Sequence, residues 1–199
     1  MAGRPREFDR DEALKEARNL FWQYGFEGTS MADLTQALNI ASARIYAAFG
    51  SKEALFREAV EQYQLEKGSF ANVALAQNSD ARAAIEQVLR GAIDVYTDKF
   101  MGCMVVSSAV NYSQNHHNIA QWLTDMRNER TDLIKSYLKQ AKCDGTIAPN
   151  FNETAFADFC CTALCGFSVQ ARDGVDTKRL NAIVDLIMKA YDSEAQPKI

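Results

Sequence analysis

The sequence predicts an all-α protein: a three-helix N-terminal unit carrying a helix-turn-helix, then a larger helical body, about nine helices in total. Three observations predict it. Apolar residues recur at i, i+3, i+4 and i+7 through most of the 199 residues. No segment alternates with the period of two that a half-buried strand requires. Cap and stop residues also fall at the ends of the periodic segments. Hydrophobic residues make up 47% and charged residues 24% of the chain, a globular balance that excludes disorder for most of it. Three prolines and ten glycines are too few for collagen-like or linker classes.

The first helix is predicted from about Asp9 to Tyr24. Asp9 is its N-cap, with Glu12 at capping-box spacing. Ala13, Leu14, Ala17, Leu20, Phe21 and Tyr24 form its apolar stripe, and Gly25 ends it. The turn Phe26-Glu27-Gly28-Thr29-Ser30 closes on a hydroxyl cap. Residues 31–38 and 42–49 form two short helices around Asn39, a residue that tolerates the left-handed conformation. Ser51 caps a fourth helix that starts Lys52-Glu53-Ala54-Leu55-Phe56, reaches the late sixties and bends near Gly68. Asn78-Ser79-Asp80 is a loop and cap. The helix after it carries Ile85, Val88, Leu89, Ala92, Val95, Tyr96 and Phe100, and Gly102 breaks it. A short helix over 104–113 and a long one over 117–142 follow. Cys143-Asp144-Gly145-Thr146 and Pro149-Asn150 separate these from two last helices, over 152–172 and 177–192. The domain boundary is expected near residue 50, dividing the chain into 1–50 and 51–199.

The net charge of −4 and the pI near 5.3 argue against a general nucleic-acid coat. Within residues 1–60, eight Lys/Arg face nine Asp/Glu, so the distribution of charge has to carry the argument. Leu34, Leu38, Ile40, Ile45 and Phe49 take the buried positions of a helix-turn-helix. The second helix of such a unit enters the major groove by its N-terminal part, here Ser42, Ala43 and Arg44. Arg44 is the only long hydrogen-bonding side chain there, and Arg on guanine is the commonest base-specific contact. Lys52, at the start of the next helix, is placed to meet a phosphate. The basic arm Arg4-Pro5-Arg6 precedes the first helix, where such an arm reaches DNA.

In order and spacing, a set of stretches in the first quarter of the chain closely resembles the TetR family of bacterial transcriptional regulators. They are Gly3-Arg4-Pro5-Arg6, Leu20-Phe21, Gly25-Phe26-Glu27-Gly28-Thr29-Ser30, Ile45-Tyr46, Phe49 and Ser51-Lys52-Glu53-Ala54-Leu55-Phe56. The remainder resembles the family in length and helical pattern. Gln170-Ala171-Arg172-Asp173-Gly174 also looks like a stretch near the C-terminus of some members. Departures are Asn39 where members often have Gly, Ala41 where they often have Ser, Thr35 where they often have Ala, and Ala47-Ala48 between Tyr46 and Phe49. Small residues at 41, 43, 47 and 48 leave a sparse base-reading surface. The resemblance implies phosphate contacts by Tyr46 and Lys52. It also implies that Thr29 or Ser30 caps the second helix and touches the backbone of double-stranded DNA at a palindromic operator.

The resemblance further implies a C-terminal domain that binds a small-molecule effector and forms a homodimer, most often in a repressor. The last two helices are the best interface candidates. Their stripes, Ala155, Phe159, Ala163 and Phe167 on one and Ile183 and Ile187 on the other, would build a four-helix bundle across a two-fold axis. Candidate effector-lining residues are Tyr96, Phe100, Cys103, Met104, Tyr112, Trp122 and Met126, which together imply a largely apolar ligand. The alternative is a metal- or redox-responsive regulator using Cys161 and Cys165, which share a helix face, beside Cys160 and with Cys103 or His116/His117. Against it, the chain has no Cys-x-x-Cys pair, cysteine is commonly a buried hydrophobe, and His116 and His117 point about 100° apart on a helix. An all-helical enzyme has no supporting motif, so no catalytic residue, cofactor or metal is expected. With no secretory signal and no apolar run of about 18 residues, a cytoplasmic protein without a membrane span is expected.

Overall fold

The computed structural model describes residues 9–108 and 116–195. Arg4, Arg6 and Tyr112 lie outside the described residues. Among the described residues there are ten α-helices and no strand. They are α1 (Arg10–Tyr24), α2 (Met31–Leu38), α3 (Ser42–Phe49), α4 (Lys52–Tyr63), α5 (Phe70–Gln77), α6 (Ala81–Thr97), α7 (Met104–Ser107), α8 (His117–Cys143), α9 (Glu153–Arg172) and α10 (Thr177–Ala195).

Local chemistry sets the first three helices and the start of the fourth as the sequence predicts. The Asp9 carboxylate accepts from the N–H groups of Asp11 and Glu12. Gly25 follows α1 at φ 74°. Ser30 and Asp33 form a reciprocal capping box on α2. Asn39 takes the left-handed turn at φ 54°, ψ 40°. The Ser51 hydroxyl accepts from the Ala54 N–H at the start of α4.

Two differences from the sequence reading concern continuity. The fourth helix is not one bent rod. It ends at Tyr63, passes through a π-helical turn over Gln64–Gly68, and resumes as the separate α5. Gly68 sits so close to the Gln64 side chain that a Cβ there would lie 1.8 Å from Oε1. The segment expected to be helical over 104–113 is helical in its described part only from Met104 to Ser107.

The buried side chains form one continuous core from Ala13 to Tyr191. In the N-terminal head, α1 packs along α4, and α2 and α3 close over Leu34, Ile45 and Phe49. In the body, α6 is the hub, packed by α5, α9 and α10. Its buried face runs from Ala81 through Ile85, Val88, Leu89, Ala92 and Ile93 to Tyr96. Helix α8 lies against α9, and the pair flanks a cleft. No helix is long and apolar enough to cross a membrane among the described residues.

Candidate nucleic-acid interface

The turn before α3 leaves the first residues of that helix exposed. Ile45 and Phe49 point inward and are 1% and 5% exposed, which anchors α3 by its C-terminal half. Ser42, Ala43 and Arg44 therefore face solvent, and Tyr46 beside them is 46% exposed. Helix α3 begins after Ala41 with no side-chain cap, so its first N–H groups remain available to an acceptor.

Lys52 is half-buried, with its ammonium 4.3 Å from the centre of the Phe26 ring. Burial lowers its pKa below the ordinary lysine value, and the nearby Glu27 and Asp33 oppose that shift. Ser30 is exposed and caps α2. Its hydrogen bonds hold the Asp33 carboxyl below its usual range. Thr29 is placed differently from its neighbour. It is wholly buried, and its hydroxyl donates to the Gly25 carbonyl at 2.7 Å, so it shapes the turn and presents no surface. The head is braced internally by Arg10, which donates to the Glu58 carboxylate at 2.7 Å and lies 4.5 Å over the Phe49 ring.

A second set of contacts fixes the head to the body. Two of them converge on the C-terminus of α1. The Arg172 guanidinium, at the end of α9, donates to the carbonyls of Trp22 (3.2 Å), Gln23 (3.0 Å) and Met101 (3.3 Å). Two of these acceptors belong to the last turn of α1, which has no intrahelical donor for them. The Trp22 indole N–H donates to the Gly102 carbonyl at 3.1 Å. Gly102 itself, at φ 65°, lies so close to α9 that a Cβ would sit 2.5 Å from the Ser168 carbonyl oxygen. In addition, His116 Nδ1 lies 2.7 Å from Glu27 Oε1, and Asn118 donates to Glu53 at 2.7 Å. The start of α8 thereby touches both the turn before α2 and the first turn of α4.

Sequence reasoning singled out the stretch around Arg172 without a role for it, because its partners are distant in the chain. The charge of Arg172 beside a Gly stop was the only local signal. The His116–Glu27 contact had no local signal at all.

The residues expected to line an effector site divide by position. Tyr96, Cys103 and Met104 are wholly buried in the core, Trp122 and Met126 are partly buried against it, and Phe100 is 50% exposed. None of these six borders the α8–α9 cleft. That cleft, about 430 Å³, is lined by Val106, Arg127, Arg130, Thr131, Cys161 and Cys165 among others. Arg130 was legible as an anomaly: it occupies the apolar stripe of α8 between Leu123 and Ile134, seven residues after one and four before the other. Of the expected interface residues, Phe159 and Ile183 are exposed, Ala163 is partly buried, and Phe167 and Ile187 are buried by their own chain. Val169 and Leu186 are also exposed, 53% and 63%, on the same two helices.

The cysteine alternative gains no support. Among the described residues no three His, Cys, Asp or Glu side chains converge as a metal-binding group. Burial pushes the thiols of Cys160, Cys161 and Cys165 upward, away from the reactive thiolate.

Comparison with known proteins agrees with this geometry. Residues 13–59 match the family described as bacterial regulatory proteins, tetR family. Over 193 residues the chain is 29% identical to the HTH-type transcriptional repressor ComR of Escherichia coli K12, covering 95% of this chain and 91% of that one. It is also 29% identical over 187 residues to the repressor BdcR of the same organism, covering 92% and 88%. Among solved structures, a cysteine mutant of the TetR family transcriptional regulator CifR, complexed with 26-base-pair operator DNA, superposes with a TM-score of 0.89. That protein is 38% identical to this one, over 94% of this chain and 100% of its own. With a helix-turn-helix head clamped to a helical body and this likeness along the whole chain, the protein belongs to the TetR family of transcriptional regulators.

Proposed function

We propose that the protein is an operator-binding repressor, acting as a homodimer and released from DNA by a small molecule held in the helical body. The observation that carries this reading is the solvent-facing N-terminal turn of α3, where Ser42, Ala43 and Arg44 stand clear of the core, with Tyr46 exposed on the same helix. Arg44 reads a base edge, and Tyr46, Lys52 and Ser30 position the head on phosphates. Arg4 and Arg6 extend the contact into the adjacent minor groove. Residues 1–50 act as the reading head and 51–199 as the sensing and dimerising body. The complex of the related CifR with operator DNA supports this use of the head.

Exposed Phe159, Val169, Ile183 and Leu186 on α9 and α10 supply apolar surface for a two-fold partner. A two-fold dimer places its recognition helices at half-sites about 34–36 Å apart, one turn of DNA. Effector binding shifts the population toward dimers whose heads no longer match that spacing. The lever is the set of contacts from Arg172, Gly102 and His116 to α1 and its following turn. The test is a gel shift on DNA flanking the protein's own gene, with wild type and Arg44→Ala. Selective retention by wild type, weakened by the substitution, is the expected result. Equal retention of an unrelated fragment would reject the reading.

A further inference from the structure

The α8–α9 cleft contains two guanidinium groups that no carboxylate among the described residues pairs with, and this sets the chemistry of what enters it. Other arginines that are partly withdrawn from solvent end on acids: Arg18 on Glu66, Arg57 on Glu53, Arg82 on Asp192 and Glu86, and Arg90 on Glu86 and Asp185. Arg127 and Arg130 do not; among the described residues neither has a carboxylate oxygen within 4.0 Å. Arg127 donates through Nη2 to the Thr124 hydroxyl at 2.9 Å, while its Nη1 is buried with no partner. Arg130 meets the Tyr96 hydroxyl at 3.4 Å, the Phe70 ring 5.2 Å away and the Cys103 thiol, none of them a carboxylate.

A guanidinium withdrawn from water with no carboxylate beside it is costly, and two of them at i, i+3 on one helix face repel each other. Their field is felt in the core behind them. Burial alone would raise the Cys103 thiol, yet the Arg130 charge, the Val106 backbone and the Tyr63 and Tyr96 hydroxyls outweigh it and hold that thiol below its usual value. Val106 and Leu164 supply apolar wall, and the volume of about 430 Å³ suits a small molecule. Asp158 also lines the cleft, and it is exposed. Its charge disfavours a polyanion but leaves the two guanidiniums in excess.

We propose that this cleft binds a small organic monocarboxylate, its carboxylate held between Arg127 and Arg130 and its apolar body against Val106 and Leu164. The inference rests on the effector-released repressor reading above and names the chemical class of that effector. The coupling follows from the fold: both arginines lie on α8, and α8 begins beside the His116–Glu27 and Asn118–Glu53 contacts with the head.

The experiment uses the full chain and four probes, butyrate, hexanoate, octanoate and benzoate, each beside its primary amide at constant ionic strength. Thermal unfolding and operator anisotropy are read on the same samples. At least one carboxylate at millimolar concentration is expected to raise the midpoint by about 5 °C where its amide does not. Arg127→Met is expected to abolish that difference while leaving the ligand-free midpoint equal to or above wild type, because a buried unpaired donor has been removed. Arg130→Met is expected to abolish the difference as well. The proposal is overturned if amides act like carboxylates, if no carboxylate shifts the midpoint, or if the shift survives in both variants. A loss of ligand-free stability in Arg127→Met would also overturn it, by making that arginine structural. Failure of ligand-free protein to select an operator would instead sink the regulator reading and leave the midpoint shift to decide the site. A shift without operator release would keep the carboxylate site and remove its effector role.

Discussion

Removing the Arg172 side chain tests the claim that the head is held by one clamp at the end of α1. Its guanidinium donates to three carbonyls at 3.0–3.3 Å, two of them unsatisfied ends of α1. Hydrogen bonds from a charged donor contribute about 1.5–3 kcal/mol each when buried, and a cation at a helix C-terminus about 0.3–1 kcal/mol. Arg172 is exposed, and its contacts with Gln23 and Met101 are exposed, so solvent replaces much of this. A net loss of about 2 kcal/mol is therefore expected for Arg172→Ala, an unfolding midpoint lowered by about 4–8 °C for a chain this size. Operator affinity is expected to fall about tenfold, because α1 no longer holds α2 and α3 at a fixed angle to the body. Denaturant unfolding and anisotropy titration read the two effects. Arg172→Lys keeps the charge but not the fork, and is expected to recover less than half of each loss. Stability within about 0.5 kcal/mol of wild type for Arg172→Ala, inside the scatter of neutral surface changes, would refute the clamp.

Three further outcomes follow from the geometry. Gly102→Ala combines a φ of 65° with a Cβ 2.5 Å from the Ser168 carbonyl, and should lower stability by about 2 kcal/mol or more and break the Trp22 contact, visible as a change in indole fluorescence. Iodoacetamide at pH 7.5, followed by peptide mass mapping, should label exposed Cys143 first and Cys160 last, because burial holds Cys160 as a neutral thiol; rapid labelling of Cys160 would contradict the packing of α9. His116→Ala and Glu27→Gln should each weaken effector-driven release, and the double variant should be no worse than either single one; additive losses would show that the two side chains act separately.

The head was legible because its determinants are local. Asp9, Ser30, Asn39 and Ser51 each fix a helix end within three residues of themselves, so the four boundaries could be read without knowing the fold. Surface and core separated equally well there, since Ile45 and Phe49 face in and Arg44 faces out by helical period alone. The body was less legible because apolar periodicity reports burial and not cavities. Tyr96, Cys103 and Met104 lie in the core, while the α8–α9 cleft is lined by polar side chains of α8 and α9 together with the apolar Val106 and Leu164. The π-helical turn at Gln64–Gly68 was visible only as a glycine in a helical run. The roles of Arg172 and Trp22 depend on partners 150 and 80 residues away, which no spacing rule reaches.

The central claim is that α3 reads a specific DNA sequence through a sparse surface dominated by Arg44. Its most direct test is a salt-dependent anisotropy titration of wild type, Arg44→Ala and Lys52→Ala on a duplex selected from a random library and on a scrambled one. The account predicts two protomers per selected duplex and a cognate-only loss of about 1–3 kcal/mol for Arg44→Ala. For Lys52→Ala it predicts a uniform loss on both duplexes, with the salt slope reduced by about one. Equal binding of selected and scrambled duplexes by wild type, or an Arg44→Ala loss shared by both, would contradict it.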